Sequence, residues 1–225
     1  MVVVISASGK YDFVVLTSIN FALAKVGGPV VPYSPTDNFS KVERLAFVGH
    51  GSIGKIQELT GEQLGDHLAN DPKGVTGQLK KLIVTSCYAG SRVHDKAGTS
   101  FVEILAKKLR GRGVGGLEIV GYCGPSIKSA ALGGHVRVVD PAKDVTVDFQ
   151  TGDTRADQLQ DESLAPYANQ LTSQKTAFAK DDMEILALRA QLTSANFYRS
   201  FVEKLDKENL LLKGDEVARV AVVLD

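Results

Sequence analysis

The stretches Arg44–Ser52, "RLAFVGHGS", and Lys80–Ser91, "KKLIVTSCYAGS", decide how this chain reads. Each is an apolar run closed by a side chain able to do chemistry, His50 in the first and Cys87 in the second. Short apolar runs bounded by turn residues suit buried strands. In an open α/β sheet, the loop that follows a strand is where ligands and reacting groups gather. A free cysteine is mostly protonated at neutral pH, and an imidazole is the natural group to take its proton. If the two strands are parallel neighbours, His50 and Cys87 arrive together at one sheet edge. The amides of Gly51 and Cys87 would then be placed to hold a developing oxyanion.

Working outward, Val2–Ile5 reads as a first strand, and Asp12–Val26 carries Leu16, Ile19, Leu23 and Val26 at helical spacing. Gly27-Gly28-Pro29 breaks that helix, and the prolines of "PVVPYSP" keep it from the middle of a sheet. Thr60 with Gln63, and Ser100 with Glu103, stand at capping-box spacing and open two further helices. Leu64 and Leu68 face inward from the first, and Phe101, Leu105 and Leu109 from the second. "LEIVGYCG" is another strand. Strands alternating with helices predict a mostly parallel sheet covered on its faces.

Beyond residue 134 the pattern changes. His135–Val139 and Val145–Phe149 alternate around Asp140-Pro141-Ala142-Lys143, which predicts a hairpin. A long helix is expected with Leu186, Ala190, Phe197, Phe201 and Leu205 on one face and Asp181 or Asp182 as cap. "ARVAVVLD" closes the chain as a strand available to the main sheet. The expected organisation is an α/β core with hairpin over 1–150, a helical extension over 151–213, and a final strand over 214–225.

The chain has 225 residues, with 26 basic residues against 26 acidic ones. That balance argues against a nucleic-acid face and against a polybasic membrane anchor. No apolar run reaches the length of a membrane span, and the opening "MVVVISASGKYDF" lacks the basic start of a secretory signal. A cytoplasmic setting, or export without a cleaved signal, is expected. Two cysteines, Cys87 and Cys123, do not make a disulfide framework. The four histidines are not at ligand spacing, so neither a metal nor another cofactor is expected.

"GHGS" and "TSCYAGS" resemble the histidine and cysteine motifs of the caspase-like cysteine peptidases, clan CD. The cysteine motif is closest to legumains and metacaspases, and the later hairpin is similar to the self-cleaving protease domains of bacterial toxins. The likeness spans Leu45–Tyr122. It implies a three-layer caspase-like sandwich with a hairpin flap and an endopeptidase that attacks a protein or peptide. It further implies Cys87 as nucleophile, His50 as base, and Gly51 and Cys87 as the oxyanion hole. Self-processing or action on a partner protein would follow. Metacaspases carry an acid two positions before the cysteine, where this chain has Thr85, so a preference for basic residues is not implied. The toxin domains bind an anionic activator, for which Lys128, Arg137 and Lys143 are the candidates.

Ser86, Tyr88 and Cys123 are candidates for the substrate pocket. His67 reads as a surface or boundary residue of its helix, His94 as a solvated residue and the rival base, and His135 as facing solvent or pairing locally. The same pair of side chains would also serve deamidation or another acyl transfer. A non-catalytic binding module, with the helical region carrying the interaction, is the third expectation.

Overall fold

Val2–Val4, Leu45–Val48, Leu82–Val84 and Ile119–Tyr122 are all buried, as strands covered on both faces must be. The computed structural model describes residues 1–6, 13–140, 142–148, 153–167, 183–212 and 219–225. In chain order the elements begin with β1 (Val2–Val4), α1 (Phe13–Val26), β2 (Val30–Pro32) and β3 (Arg44–Val48). A small antiparallel meander follows, β4 (Gly51–Ser52), β5 (Lys55–Ile56) and β6 (Leu59–Thr60), leading into α2 (Gly61–Ala69). Then come β7 (Lys81–Val84), α3 (Phe101–Leu109), β8 (Glu118–Tyr122), β9 (Ser126–Lys128) and β10 (Val136–Val138). The chain ends with β11 (Thr146–Asp148), β12 (Asp153–Thr154), α4 (Arg155–Leu164), α5 (Met183–Lys207) and β13 (Arg219–Val223).

The main sheet runs β13-β8-β7-β3-β1-β2. Its pairings are parallel from β8 through β2, and β13 adds antiparallel on β8. Pro32 ends the edge strand β2, where a missing N–H costs the ladder nothing. Both capping boxes form: Thr60 and Gln63 exchange bonds at α2, as Ser100 and Glu103 do at α3. Strand side chains alternate between two cores. Val3, Phe47, Leu82 and Val84 meet α2 and α3. Val2, Val4, Val48 and Ile83 meet α1 and α5. Each such side chain contributes roughly 1.5–3 kcal/mol on burial.

Among the described residues, the two segments expected to pair as a hairpin, 135–139 and 145–149, do not pair with each other, and Phe149 lies outside those residues. β10 pairs with β9, and β11 pairs with β12. A turn exists at the expected place, since the Lys143 and Asp144 amides both donate to Asp140 O. However, the Leu212 amide donates to Val138 O and the Asp140 amide to Leu210 O. The bonding capacity of β10 is thus taken by β9 and by Leu210–Leu212. The region read as an extension packs into the core beside α1. Phe197, Phe201 and Leu205 are buried there, and Tyr198 OH meets Thr17 Oγ1 at 2.6 Å. The cap positions Asp181 and Asp182 lie outside the described residues, as do the side chains of Leu186 and Ala190. Among the described residues no helix is long and apolar enough to cross a membrane.

Candidate functional site

β3 and β7 are adjacent and parallel, with Phe47 opposite Val84. His50 and Cys87 each stand three residues beyond that pair, so the register itself brings them to the same edge. Thr85 straps the two strand ends together, donating from its amide (2.9 Å) and its hydroxyl (3.0 Å) to Phe47 O. Thr85 is thus a buried strut, which gives the residue two before the cysteine a structural task. His50 is exposed and Cys87 half-buried, and both line one cavity of about 200 Å³.

The loops touch at Gly51. A Cβ built on Gly51 would stand 2.6 Å from Cys87 O and nearer still to Ser86 Oγ. Only a residue without a side chain lets the histidine loop lie flat on the cysteine loop. Among the described residues no hydrogen bond uses the Cys87 amide. The next residue, Tyr88, has φ 58°, left-handed backbone that costs a bulky residue about 1–3 kcal/mol. It is held there by its amide, which donates to Gly124 O at 2.9 Å. Burial, then the neighbouring Cys87, pushes the Tyr88 phenol up.

A third strand end completes the wall. The Ser126 amide donates to Cys87 Sγ at 3.4 Å, and Ser126 Oγ lies 3.9 Å from the same sulfur. Lys128 Nζ donates to Ser126 Oγ and sits 5.6 Å from the centre of the Tyr122 ring. Lys128 is only 3% exposed. Burial lowers its ammonium to about 8, with Cys87 acting in the opposite direction. Val14 of α1, Ala156 of α4, and Tyr198 and Phe201 of α5 supply the apolar side of the cavity.

The structure therefore brings His50, Gly51 and Cys87 together as their spacing suggested. Ser86, Tyr88 and Cys123 are not among the cavity's lining residues. Ser86 is buried beneath the loop, with Oγ donating to Cys87 O at 3.1 Å. Cys123 and Cys87 are both free thiols, and burial pushes Cys123 up, with Arg92 and Ser91 opposing. His94 sits in an exposed turn away from the cavity. His67 bridges Tyr33 OH (3.0 Å) and Asp37 O (3.1 Å), which fixes it as a structural contact. Of the activator candidates, Lys128 is buried and Lys143 is paired with Asp140 at 3.6 Å.

Sequence reading missed Ser126 and the interior position of Lys128. The available signal was that "GYCGPSIK" closes a third apolar run, on the strand beside β7. Among the described residues no cluster of His, Cys, Asp and Glu could hold a metal ion. Comparison with protein-family models, curated proteins and solved structures finds no match to this chain in any of the three. The cavity's own geometry carries the functional reading.

Proposed function

We propose that this protein is a cysteine endopeptidase of caspase-like fold. Cys87 is its nucleophile, His50 its base, and the Gly51 and Cys87 amides form its oxyanion hole. The observation that carries this is the in-register pairing of β3 with β7, which delivers His50 and Cys87 to one cavity. The contact of Gly51 with the Ser86–Cys87 backbone supports it further.

The imidazole takes the thiol proton, and the thiolate attacks the carbonyl carbon of the scissile bond. Two backbone N–H groups hold the resulting oxyanion, an arrangement that needs no reorganisation as charge develops. The Ser126 amide, already directed at the sulfur, keeps it from rotating away from the carbonyl. Collapse of the intermediate expels the amine, which carries off the proton held by His50. Water, activated by the same imidazole, then releases the acyl group and restores the thiol.

The test is a Cys87→Ala variant offered a peptide library and an electrophilic thiol probe. It is expected to lose cleavage and the labelling at position 87, while its melting profile stays cooperative. Cleavage at the parent rate by this variant would overturn the assignment. Mass spectrometry of the products checks the reaction type. A severed chain supports hydrolysis of the peptide bond, and a gain of about one dalton without severance would instead mean deamidation.

A further inference from the structure

Lys128 is buried in the cavity that holds Cys87, and the reaction above gives it no task. A Lys is almost never fully buried unless its charge is paired. Among the described residues no carboxylate forms an ion pair with it, and its described partners are Ser126 Oγ and the Tyr122 ring. The elements around it differ in what they present. From α4 comes Asp157, which is exposed and accepts bonds from the Thr154 amide and hydroxyl. From α5 comes Tyr198, whose hydroxyl meets Thr17 Oγ1. Val14 of α1 and Val136 of β10, which pairs with Lys128, are uncharged. His50 and Cys87 follow the ends of β3 and β7. Of these groups, only the Cys87 sulfur is joined to Lys128 by described hydrogen bonds, through Ser126.

Ser126 surrounds that sulfur. The thiol donates to Ser126 O at 3.8 Å, the Ser126 amide donates to Sγ at 3.4 Å, and the Ser126 hydroxyl is a second donor at 3.9 Å. Ser126 and Lys128 stand two apart on β9, so their side chains leave the strand on the same face. Lys128 Nζ donates to Ser126 Oγ, which occupies a lone pair of that oxygen and frees its own proton for another acceptor. The Cys87 sulfur is an acceptor within reach.

We infer that Lys128 is a positioning residue of the nucleophile, whose ammonium, acting through the Ser126 hydroxyl, holds Cys87 as the thiolate before substrate arrives. This rests on Cys87 being the nucleophile, and not on which bond it cleaves. The thiol proton leaves for His50, the sulfur lone pair it vacates accepts from the Ser126 hydroxyl and amide, and Lys128 keeps its own proton. Hydrogen-bond chains that end on charges are stronger than neutral ones and polarise along their length. The same arrangement keeps the cation in place: burial lowers the Lys128 ammonium to about 8, and Cys87 acts against that fall. At neutral pH the ammonium is therefore the major form, available when the thiol ionises.

The test uses the full chain and iodoacetamide, with labelling of Cys87 and Cys123 followed by mass spectrometry across pH. The quantity read is the Cys87 rate at about pH 6.5 as a fraction of its own plateau in alkali, which removes any effect on access. In Lys128→Met that fraction is expected to fall about tenfold, the lower end of what a hydrogen bond to a charge is worth. Lys128→Arg, which keeps a charge at every pH, is expected to retain most of it. Ser126→Ala is expected to match Lys128→Met, and the double variant to fall no further than either, because the two side chains act in one chain of bonds. Cys123 is expected to keep its own profile in every variant. A Lys128→Met protein slowed by the same factor at every pH would overturn the inference, since Lys128 would then only shape the cavity. So would a double variant that falls by the product of the two single losses, or a shift that Cys123 shares. Those outcomes leave the peptidase reading intact. Its own failure is read separately, because iodoacetamide needs no peptide: a parent with the expected Cys87 profile that cleaves no peptide would remove the peptidase and keep the positioning role.

Discussion

The two faces of the sheet treat buried charge in opposite ways. On the α2/α3 face, Glu103 is tucked against the start of α3 and every oxygen has donors. Arg92 lies at 2.5 Å and Ser100 Oγ at 2.8 Å. Partial burial alone would raise this carboxyl, but the bonds from Arg92 and Ser100 outweigh it and hold it at about 2. On the α1/α5 face, Lys128 is buried with neutral partners and held at about 8. One face spends its polar groups on locking a helix start. The other keeps beside a thiol a cation that forms no ion pair with a carboxylate among the described residues, which is the pattern of a surface shaped for a ligand more than for stability.

That contrast can be broken first at the chemistry. His50→Ala is expected to slow peptide cleavage by about 10²–10⁴-fold, the usual worth of a general base. Because His50 is exposed, its melting midpoint should move little. A large loss of stability with it would mean the residue is structural. On the opposite face the effect should reverse. Leu105→Ala, at a fully buried position of α3, is expected to cost about 2–5 kcal/mol in denaturant unfolding. The surviving folded fraction should still label at Cys87.

The two charges themselves give a sharper test by pH. Lys128 holds its proton less tightly folded, at about 8, than unfolded, at its ordinary 10.5. The buried cation therefore lowers stability below about 8, and the penalty fades as pH rises toward 10.5. Lys128→Met should melt above the parent near neutrality, with an advantage that shrinks through that window. Glu103 has the opposite sign. Its contribution is present above the ordinary 4.5 and is lost as pH falls toward about 2. Glu103→Gln should accordingly be less stable than the parent near neutrality, with a gap that closes in acid. The smallest effect expected is for Thr60→Ala, which removes one cap and should cost about 1 kcal/mol.

What could be read in the sequence follows the same division. The α2/α3 face is written locally: two capping boxes and leucines at helical spacing need no distant partner to be recognised. The His50–Cys87 pair was legible for a related reason, since neighbouring parallel strands put positions at equal distance beyond a registered pair at one edge. The far wall of the cavity is assembled from five separate stretches of chain, around Val14, Ser126, Val139, Ala156 and Tyr198. No local pattern marks residues that meet only in the folded protein. Alternation around residue 137 correctly signalled a strand, but alternation names no partner. The choice between β9 and the later strand was made by tertiary packing. Lys128 looked like any surface lysine because its burial depends on α1, α4 and α5 closing over it.

Cys123 offers a built-in reference for the central claim, being a second free and half-buried thiol whose charge is influenced by Arg92, Ser91 and Glu103. The decisive measurement is the rate at which a peptidyl electrophile modifies each cysteine, read by mass spectrometry in the parent and in His50→Ala. Selective modification of Cys87 over Cys123, slowed about 100-fold or more by His50→Ala, is the result this account requires. Equal modification of the two thiols, or a Cys87 rate unmoved by the loss of His50, would contradict it.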